Sequence, residues 1–202
     1  MTLATYSDLK TSVANYLNRD DLTSVIPDFI SLTENRMNRD LRVRANMKRA
    51  NTTTTAGTAF YNLPSDMIEL RNITWESDSQ SFALSYLSPE SSSREYGGHI
   101  SGSPRAYTNL GKSIKLSPTP DGEYQIAINY FAQLTALSNT NSTNNILQSF
   151  PDLYLFGSCL EGAIYLNDTE QVQRFGGIYE KALKDVRDAE DFTQKRIFEV
   201  AS

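Results

Sequence analysis

Cysteine and histidine are almost absent: Cys159 and His99 are the only examples in 202 residues. A single cysteine excludes an internal disulfide framework and is typical of a protein kept in a reducing compartment. One histidine with no cysteine nearby in sequence argues against a structural zinc site. No Gly-x-Ser-x-Gly elbow accompanies it, so a serine hydrolase is not indicated. We predict no catalytic site, no metal and no cofactor, with His99 in a loop and Cys159 as a buried, inert thiol.

Long apolar runs are lacking as well. No run approaches the ~18 residues of a transmembrane helix, and the first residues have neither the basic nor the apolar region of a signal peptide. The formal net charge of −5 gives no general attraction to nucleic acid or to an anionic membrane. We therefore expect a protein with no membrane partner that is made in a cytosol.

Helical periodicity is present at both ends of the chain. Thr5 and Asp8 have the spacing of a capping box before the first helix, and Pro27 lies in the first turn of the second. Pro151 opens a third helix, and a long fourth helix follows from Thr169. The predicted core-facing residues of these helices are Tyr6, Leu9, Val13, Tyr16 and Leu17; Ile26, Phe29, Ile30, Thr33, Met37 and Leu41; Leu153, Phe156, Leu160, Ala163, Ile164 and Leu166; and Val172, Phe175, Tyr179, Ala182, Leu183, Val186 and Ala189.

The middle of the chain has the two-residue period of strands. Residues 101–134 are predicted to form a three-stranded antiparallel meander, with turns at Gly111-Lys112 and at Pro120-Asp121-Gly122. Further strands are predicted near residues 52–55, 60–63, 67–75 and 82–87, followed by a short helix capped by Ser88. The fold class is therefore α+β. Residues 1–45 and 150–202 are expected to form a four-helix bundle, with an antiparallel β domain of residues 46–149 inserted in sequence.

One segment matches a nucleotide-binding pattern. Residues 106–113 (AYTNLGKS) fit the relaxed Walker A spacing, in which a loop after a strand holds phosphates at the start of a helix. Here the alternation of a strand continues after Ser113, and Pro118 leaves no room for a helix. We interpret Lys112 as a hairpin-turn residue. A nucleotide-binding enzyme using Ala106 to Ser113 remains an alternative hypothesis.

Cations are concentrated in one stretch, at the end of the second helix and just beyond it. The simplest interpretation is a solvated helix face whose charges suit the helix dipole. A docking patch for an acidic protein surface is a second interpretation, and a DNA-binding protein acting through Arg36 to Arg49 is a third. The residues concerned are Arg36, Arg39, Arg42, Arg44, Lys48 and Arg49.

Two stretches carry a resemblance to a known family. The first covers residues 6–22 (YSDL through YLNRDDL), 26–30 (IPDFI) and 36–44 (RMNRDLRVR). The second covers residues 102–107 (GSPRAY) and 114–124 (IKLSPTPDGEY). With the closing helices from residue 151 (PDLY) onward, the chain resembles the adaptor, or head-to-tail connector, proteins of podoviruses, of the tail tubular protein A type.

The resemblance implies a structural virion protein with no enzyme activity. It would form a homo-oligomeric ring, a dodecamer, that joins the portal protein to the tail nozzle protein. Double-stranded DNA would pass through the ring without sequence recognition. The protein would be assembled in the bacterial host cytoplasm and reside in the tail or neck of the virion.

The apolar tail, residues 192–202, extends beyond the apolar stripe of the last helix, which ends at Ala189. We expect residues 192–202 to be disordered in the free subunit and to order on docking. The polar loops at 77–81, 88–103 and 138–145 are candidate contacts for tail proteins. The candidate contacts for the portal or a neighbouring subunit are Arg36, Arg39, Arg42, Arg44, Phe192, Arg196, Ile197, Phe198 and Val200.

Overall fold

The computed structural model describes residues 3–77, 80–98 and 100–200, and the side chains among them as far as Ala189. Within these ranges, six α-helices combine with two mainly antiparallel sheets, which confirms the α+β class. Contacts divide the chain into a helical unit, Met1–Asn46 with Leu134–Ser202, and a β unit, Met47–Gln133.

The helical unit contains α1 (Tyr6–Leu17), α2 (Ile26–Asp40), α4 (Asn145–Ser149), α5 (Pro151–Tyr165) and α6 (Thr169–Val200), and α3 (Pro89–Tyr96) belongs to the β unit. The predicted capping box at the start of α1 is present. The Asp8 amide donates to Thr5 Oγ1 at 3.2 Å, and the Thr5 amide donates to Asp8 Oδ2 at 3.0 Å. Helix α6 continues through Gly176 and Gly177 as one element.

Helix α5 contacts α1, α2, α4 and α6, because small residues let its neighbours approach closely. A Cβ at Gly162 would lie 2.5 Å from Leu17 Cδ1 of α1, and Gly157 likewise faces Thr33 of α2. Three residues predicted to face the core are instead exposed: Tyr16 at 49%, Ile164 at 46%, and Ala189. Ile164 lies in the last turn of α5.

Residues 134–149 belong to the helical unit, whereas we predicted the β domain to extend to residue 149. Leu134, Leu137, Ile146 and Leu147 supply the reason, because all four are buried in the core of the helices. The polar loop of residues 138–145 lies between the two pairs of apolar residues, and its composition led to the prediction of an exposed loop. Helix α4 is therefore an element that the sequence analysis missed.

The β unit consists of two four-stranded sheets over a shared apolar core. The first has the order β1-β8-β3-β4 and the second the order β2-β7-β6-β5. All pairs are antiparallel except β5 with β6. The strands are β1 (Met47–Thr53), β2 (Phe60–Asn62), β3 (Met67–Ser77), β4 (Gln80–Ala83), β5 (Ser85–Tyr86), β6 (Ala106–Asn109), β7 (Ser113–Ser117) and β8 (Gln125–Ala132).

The predicted meander is half right. Strands β6 and β7 form the expected antiparallel hairpin, but β8 pairs with β1 and β3 in the other sheet. The turn at Pro120-Asp121-Gly122 thus carries the chain from one sheet to the other. Both sheets bury their alternate residues in the same core, so the period of two could not reveal which sheet β8 joins.

Candidate interaction surfaces

The Walker A-like segment forms a β-hairpin. The Leu110 amide donates to the Ser113 carbonyl at 2.8 Å, and Gly111 adopts a φ of +79°, which glycine tolerates. The carbonyl of Lys112 accepts from the Leu63 amide at 2.9 Å. Strand β7 follows at once, so the segment leads into a strand and not into the helix that a Walker A loop requires. The hairpin interpretation is confirmed, and the nucleotide hypothesis is not supported.

Most cations of the arginine-rich stretch are engaged inside their own unit. Arg36 forms an ion pair with Glu161 of α5. Arg42 Nη1 donates to the carbonyls of Asn38 and Leu41, at 3.0 and 2.8 Å, and so helps to cap α2. In the β unit, Lys48 pairs with Asp66 at 2.7 Å and Arg49 pairs with Glu76.

These pairings lower the net positive charge of the arginine-rich stretch. Carboxylates beside Arg36, Lys48 and Arg49 reduce the positive field that counterion release from duplex DNA requires. Arg44 also has an interaction partner, and Arg39 is exposed. The DNA-binding hypothesis is therefore not supported, whereas the role of Arg36, Arg39, Arg42 and Arg44 in docking stays a prediction.

The apolar tail is the C-terminal end of α6. The backbone of α6 is helical as far as Val200. The side chains of Phe192, Arg196, Ile197, Phe198 and Val200 lie outside the described residues, as does His99.

Cys159 lies in the interior of the helical unit. Burial raises the pKa of its thiol to about 12, so the thiol stays protonated and unreactive at neutral pH. Within the described ranges, no group of three or more histidine, cysteine or acidic residues is placed to bind a metal ion. Nor does any helix described in the structure combine the length and apolarity needed to cross a bilayer.

A buried polar network joins α2, α5 and the segment before α4. Glu34 Oε1 accepts hydrogen bonds from the Leu137 amide at 2.8 Å and from the Tyr154 hydroxyl at 3.0 Å. The Asn144 side chain donates to the Tyr154 hydroxyl oxygen at 2.6 Å. Burial raises the pKa of the Glu34 carboxyl, although the two hydrogen bonds oppose this shift.

A groove of about 360 Å³ opens on the surface of the helical unit, between α2 and α6. Arg36 and Asp40 contribute one wall, and Glu180 and Arg187 contribute part of the other. The Tyr179 hydroxyl is buried in the lining and has no hydrogen-bond partner among the described residues. Burial, followed by the nearby Asp40, raises the pKa of Tyr179 to about 12, so this hydroxyl keeps its proton.

A comparison with protein families decides the identity of the chain. The family model described as SU10 adaptor protein matches residues 4–197. The chain belongs to the SU10 adaptor protein family. This family consists of phage adaptor proteins, so the protein is a structural component of a virion and not an enzyme. No curated protein matches the adaptor chain.

Family membership accounts for the absence of a catalytic pattern in the sequence. The adaptor's match spans both units, since residues 4–197 include every helix and strand, apart from the last three residues of α6. Two features of the adaptor were not predicted from the sequence, the buried Glu34 and the buried hydroxyl of Tyr179. Glu34 follows Ile30 by four residues and precedes Met37 by three, which places it on the buried face of α2. Helical spacing alone could therefore have identified it.

Proposed function

We propose that this adaptor is one subunit of a homo-oligomeric ring in the neck of the virion. The ring joins the portal protein to the tail nozzle protein, and double-stranded DNA passes through its centre. The observation that carries this proposal is the family match across residues 4–197. The resemblance to tail tubular protein A proteins adds the dodecameric stoichiometry and assembly in the bacterial host cytoplasm.

The charge distribution supports a channel through which DNA slides. The chain carries 19 lysine and arginine residues against 24 aspartate and glutamate residues. Much of the one cationic stretch is paired with carboxylates. A ring built from such subunits would bind DNA phosphates only weakly. It also needs no element that contacts the bases, because the DNA only passes through it.

A ring subunit needs two different side surfaces that complement each other and close by rotation. We assign this role to the helical unit, with α1, α2, α5 and α6 arranged as a four-helix bundle. In this proposal, Arg36, Arg39, Arg42 and Arg44 contribute to lateral or portal contacts. The end of α6, with Phe192, Arg196, Ile197, Phe198 and Val200, docks on the portal protein or on a neighbouring copy.

Co-sedimentation of the purified adaptor with the portal protein of the same phage tests this proposal. The full-length chain should sediment with the portal at a fixed ratio, twelve copies to one portal ring if the dodecamer is correct. A portal protein from an unrelated phage serves as the control and should leave the adaptor in the supernatant. An adaptor that never joins its own portal would contradict the proposal.

A truncated chain ending at Asp191 separates the role of the tail from the fold. It should retain the thermal stability of the full chain, because the described core of the helical unit ends at Val186. Its binding to the portal should be weaker than that of the full chain. Equal binding by both chains would exclude the tail as the docking element and leave the ring itself in place.

A further inference from the structure

The sheet with the order β1-β8-β3-β4 ends in two open edges, β1 on one side and β4 on the other. All four residues of β4 are exposed, as are five of the seven residues of β1. The backbone of an edge strand keeps a row of N–H and C=O groups without partners, and such a row is a template for another strand. These two edges are therefore places where the β unit can add a strand.

The register of β1 shows which of its backbone groups are free. The Thr54 amide donates to the Tyr124 carbonyl at 2.9 Å and continues the regular pairing of β1 with β8. Residues of an antiparallel strand direct their backbone groups alternately toward the paired strand and away from it. Arg49, Asn51 and Thr53 therefore direct their N–H and C=O groups away from β8.

The same alternation applies to β4. The Leu84 amide donates to the Ile73 carbonyl at 2.9 Å, in register with the pairing of β3 and β4. Ser81 and Ala83 therefore direct their N–H and C=O groups away from β3. In the described chain, no backbone hydrogen bond of a turn, loop or cap uses these outward groups of β1 or β4.

Neither edge has the protection that is usual for an exposed strand, such as unpaired charges or proline. The sequence of β4, QSFA, contains neither. The two cations of β1, Lys48 and Arg49, form ion pairs within the β unit. In the described strands, exposed large apolar side chains occur only in the four edge strands, at Met47, Phe60, Phe82 and Tyr86. Edges of this kind are suited to contact with another strand.

Strand direction selects a second copy of the adaptor as the partner. Every pair in this sheet is antiparallel and the number of strands is even, so β1 and β4 run in opposite directions. The step between neighbours in a ring of twelve is about 30°, which nearly preserves strand directions from one copy to the next. Strand β1 of one copy therefore meets β4 of the next in antiparallel orientation. A two-fold dimer would instead place β1 against β1, or β4 against β4.

The faces of the sheet agree as well. Asn51 alternates with Ala50 and Thr52, which are opposite the core residues of β8, and Ser81 precedes Phe82, which stacks on Trp75. The residues with free backbone groups thus belong to the face opposite the core in both edge strands. Pairing them leaves the core side of one sheet continuous with that of the next.

The second sheet does not meet this condition. Its strands β5 and β6 are parallel, so the edge strands β2 and β5 run in the same direction. The same step from copy to copy would give only a parallel pair of two very short strands. The contact is therefore assigned to the first sheet.

We propose that β1 of one adaptor subunit pairs with β4 of its neighbour, so that the sheet β1-β8-β3-β4 continues from subunit to subunit. The inference rests on the proposed ring and adds a contact of the β unit to the one assigned to the helical unit. A ring requires two different side surfaces that complement each other. Each chain supplies both of them, at the opposite edges of one sheet.

Cross-linking between introduced cysteines tests the pairing, since the native Cys159 is buried and unreactive. The double variant carries Asn51→Cys and Ser81→Cys, both at exposed positions on the same face. These positions are opposite or diagonal neighbours in each face-matched register that sets all of β4 against β1. Such neighbours lie within about 8 Å, so a short bismaleimide bridges them. In the presence of the portal protein, denaturing gels should show adaptor dimers, trimers and higher multiples.

The two single variants are the matched controls. Asn51→Cys alone and Ser81→Cys alone should remain monomeric on the gel, because each interface then contains only one introduced cysteine. An equal mixture of the two should give dimers and no larger product. Dimers formed by either variant alone would show two-fold pairing and would overturn the inference.

Asn51→Pro tests the same contact without a cross-linker. Proline is tolerated in an edge strand where the lost N–H faces solvent, so the melting temperature should change little. Ring formation on the portal should require about tenfold more adaptor, because a carbonyl of the neighbouring β4 loses its donor. Thr52→Pro removes an N–H that faces β8 and should instead lower the melting temperature.

Two further results would overturn the inference. One is a double-cysteine variant that assembles on the portal without any cross-linked adaptor. The other is an Asn51→Pro chain that assembles as tightly as the original. Both would leave the proposed ring standing. An original chain that never joins its own portal would overturn the ring, and the inference with it.

Discussion

Gly157 is the residue at which the packing of α5 leaves the least room. A Cβ built there would meet Thr33 of α2 and would lie 3.0 Å from Tyr179 Cε2 of α6. Gly177, by contrast, lies inside α6, and its Cβ position has no described atom within 4 Å apart from the adjoining backbone of its own helix. Packing therefore requires glycine at position 157, whereas nothing in the structure explains the glycine at position 177.

Alanine substitutions at these two positions should have opposite effects. Gly157→Ala is expected to lower the free energy of unfolding by about 1–3 kcal/mol, because Thr33 and Tyr179 must move. Gly177→Ala is expected to raise it by about 0.5–1 kcal/mol, since alanine restricts the unfolded chain and favours a helix. Urea titrations of both variants measure the difference. Two shifts of the same sign would contradict the packing described for α5.

Glu34 gives the stability of the helical unit a defined dependence on pH. Its pKa is raised in the folded state, chiefly by burial. A raised pKa means that the folded state binds this proton more tightly than the unfolded state. The stabilising contribution is therefore complete below the ordinary carboxyl pKa, about 4.3, and is lost as the pH rises through the folded pKa.

Glu34→Gln should remove this dependence. Glutamine keeps an oxygen that accepts from the Leu137 amide and the Tyr154 hydroxyl, but it never ionises. Relative to the original chain, the variant should gain stability as the pH rises above the ordinary carboxyl pKa, and the gain should level off above the folded pKa of Glu34. Unfolding free energies measured at several pH values give the comparison. A difference that is constant with pH, or that falls, would exclude a raised pKa at Glu34.

At the scale of elements, the segment that leads into α4 is held by hydrogen bonds between its backbone amides and side chains of α2. The Leu134 amide donates to Asn38 Oδ1 and the Leu137 amide donates to Glu34 Oε1, both at 2.8 Å. Asn38 and Glu34 are four residues apart, on one face of α2. Asn144 then caps α4 by accepting from the Leu147 amide at 2.9 Å.

Asn144→Ala should destabilise the helical unit by about 2–4 kcal/mol. The substitution removes a helix cap, which contributes about 1 kcal/mol. It also removes the Asn144 hydrogen bonds to the Thr135 carbonyl and Tyr154, each contributing about 0.5–1.5 kcal/mol. Asn139→Ala, which removes one exposed contact with Lys10, is the control and should change stability by under about 0.5 kcal/mol. Equal losses in thermal melts would contradict the role of Asn144.

The elements show what a sequence of this kind can and cannot predict. Local signals were sufficient for the capping box of α1, for the Ser88 cap of α3 and for the hairpin of β6 and β7. They failed for β8, because alternation identifies a buried face without identifying the neighbouring strand. They failed again at Ser138 to Asn145, where Asn144 of the predicted free polar loop instead caps α4 and joins the Glu34 network.

At the scale of the whole molecule, the order of elements carries the functional information. Helices at both ends and strands in the middle predicted the α+β class, and the matching stretches predicted a phage adaptor, which the family match confirms. Contacts within the helical unit were harder to predict. The hydrogen bonds of Glu34, for example, depend on which side chains meet when the helices pack, and no local pattern of the sequence states this.

Imaging of single particles of the adaptor mixed with its own portal protein is the most direct test of the central claim. We expect a closed ring of adaptor subunits, twelve in the predicted form, stacked coaxially on the portal around an open channel wide enough for duplex DNA. Portal particles that remain bare at saturating adaptor concentrations, or adaptor bound as scattered single copies without a ring, would contradict the claim.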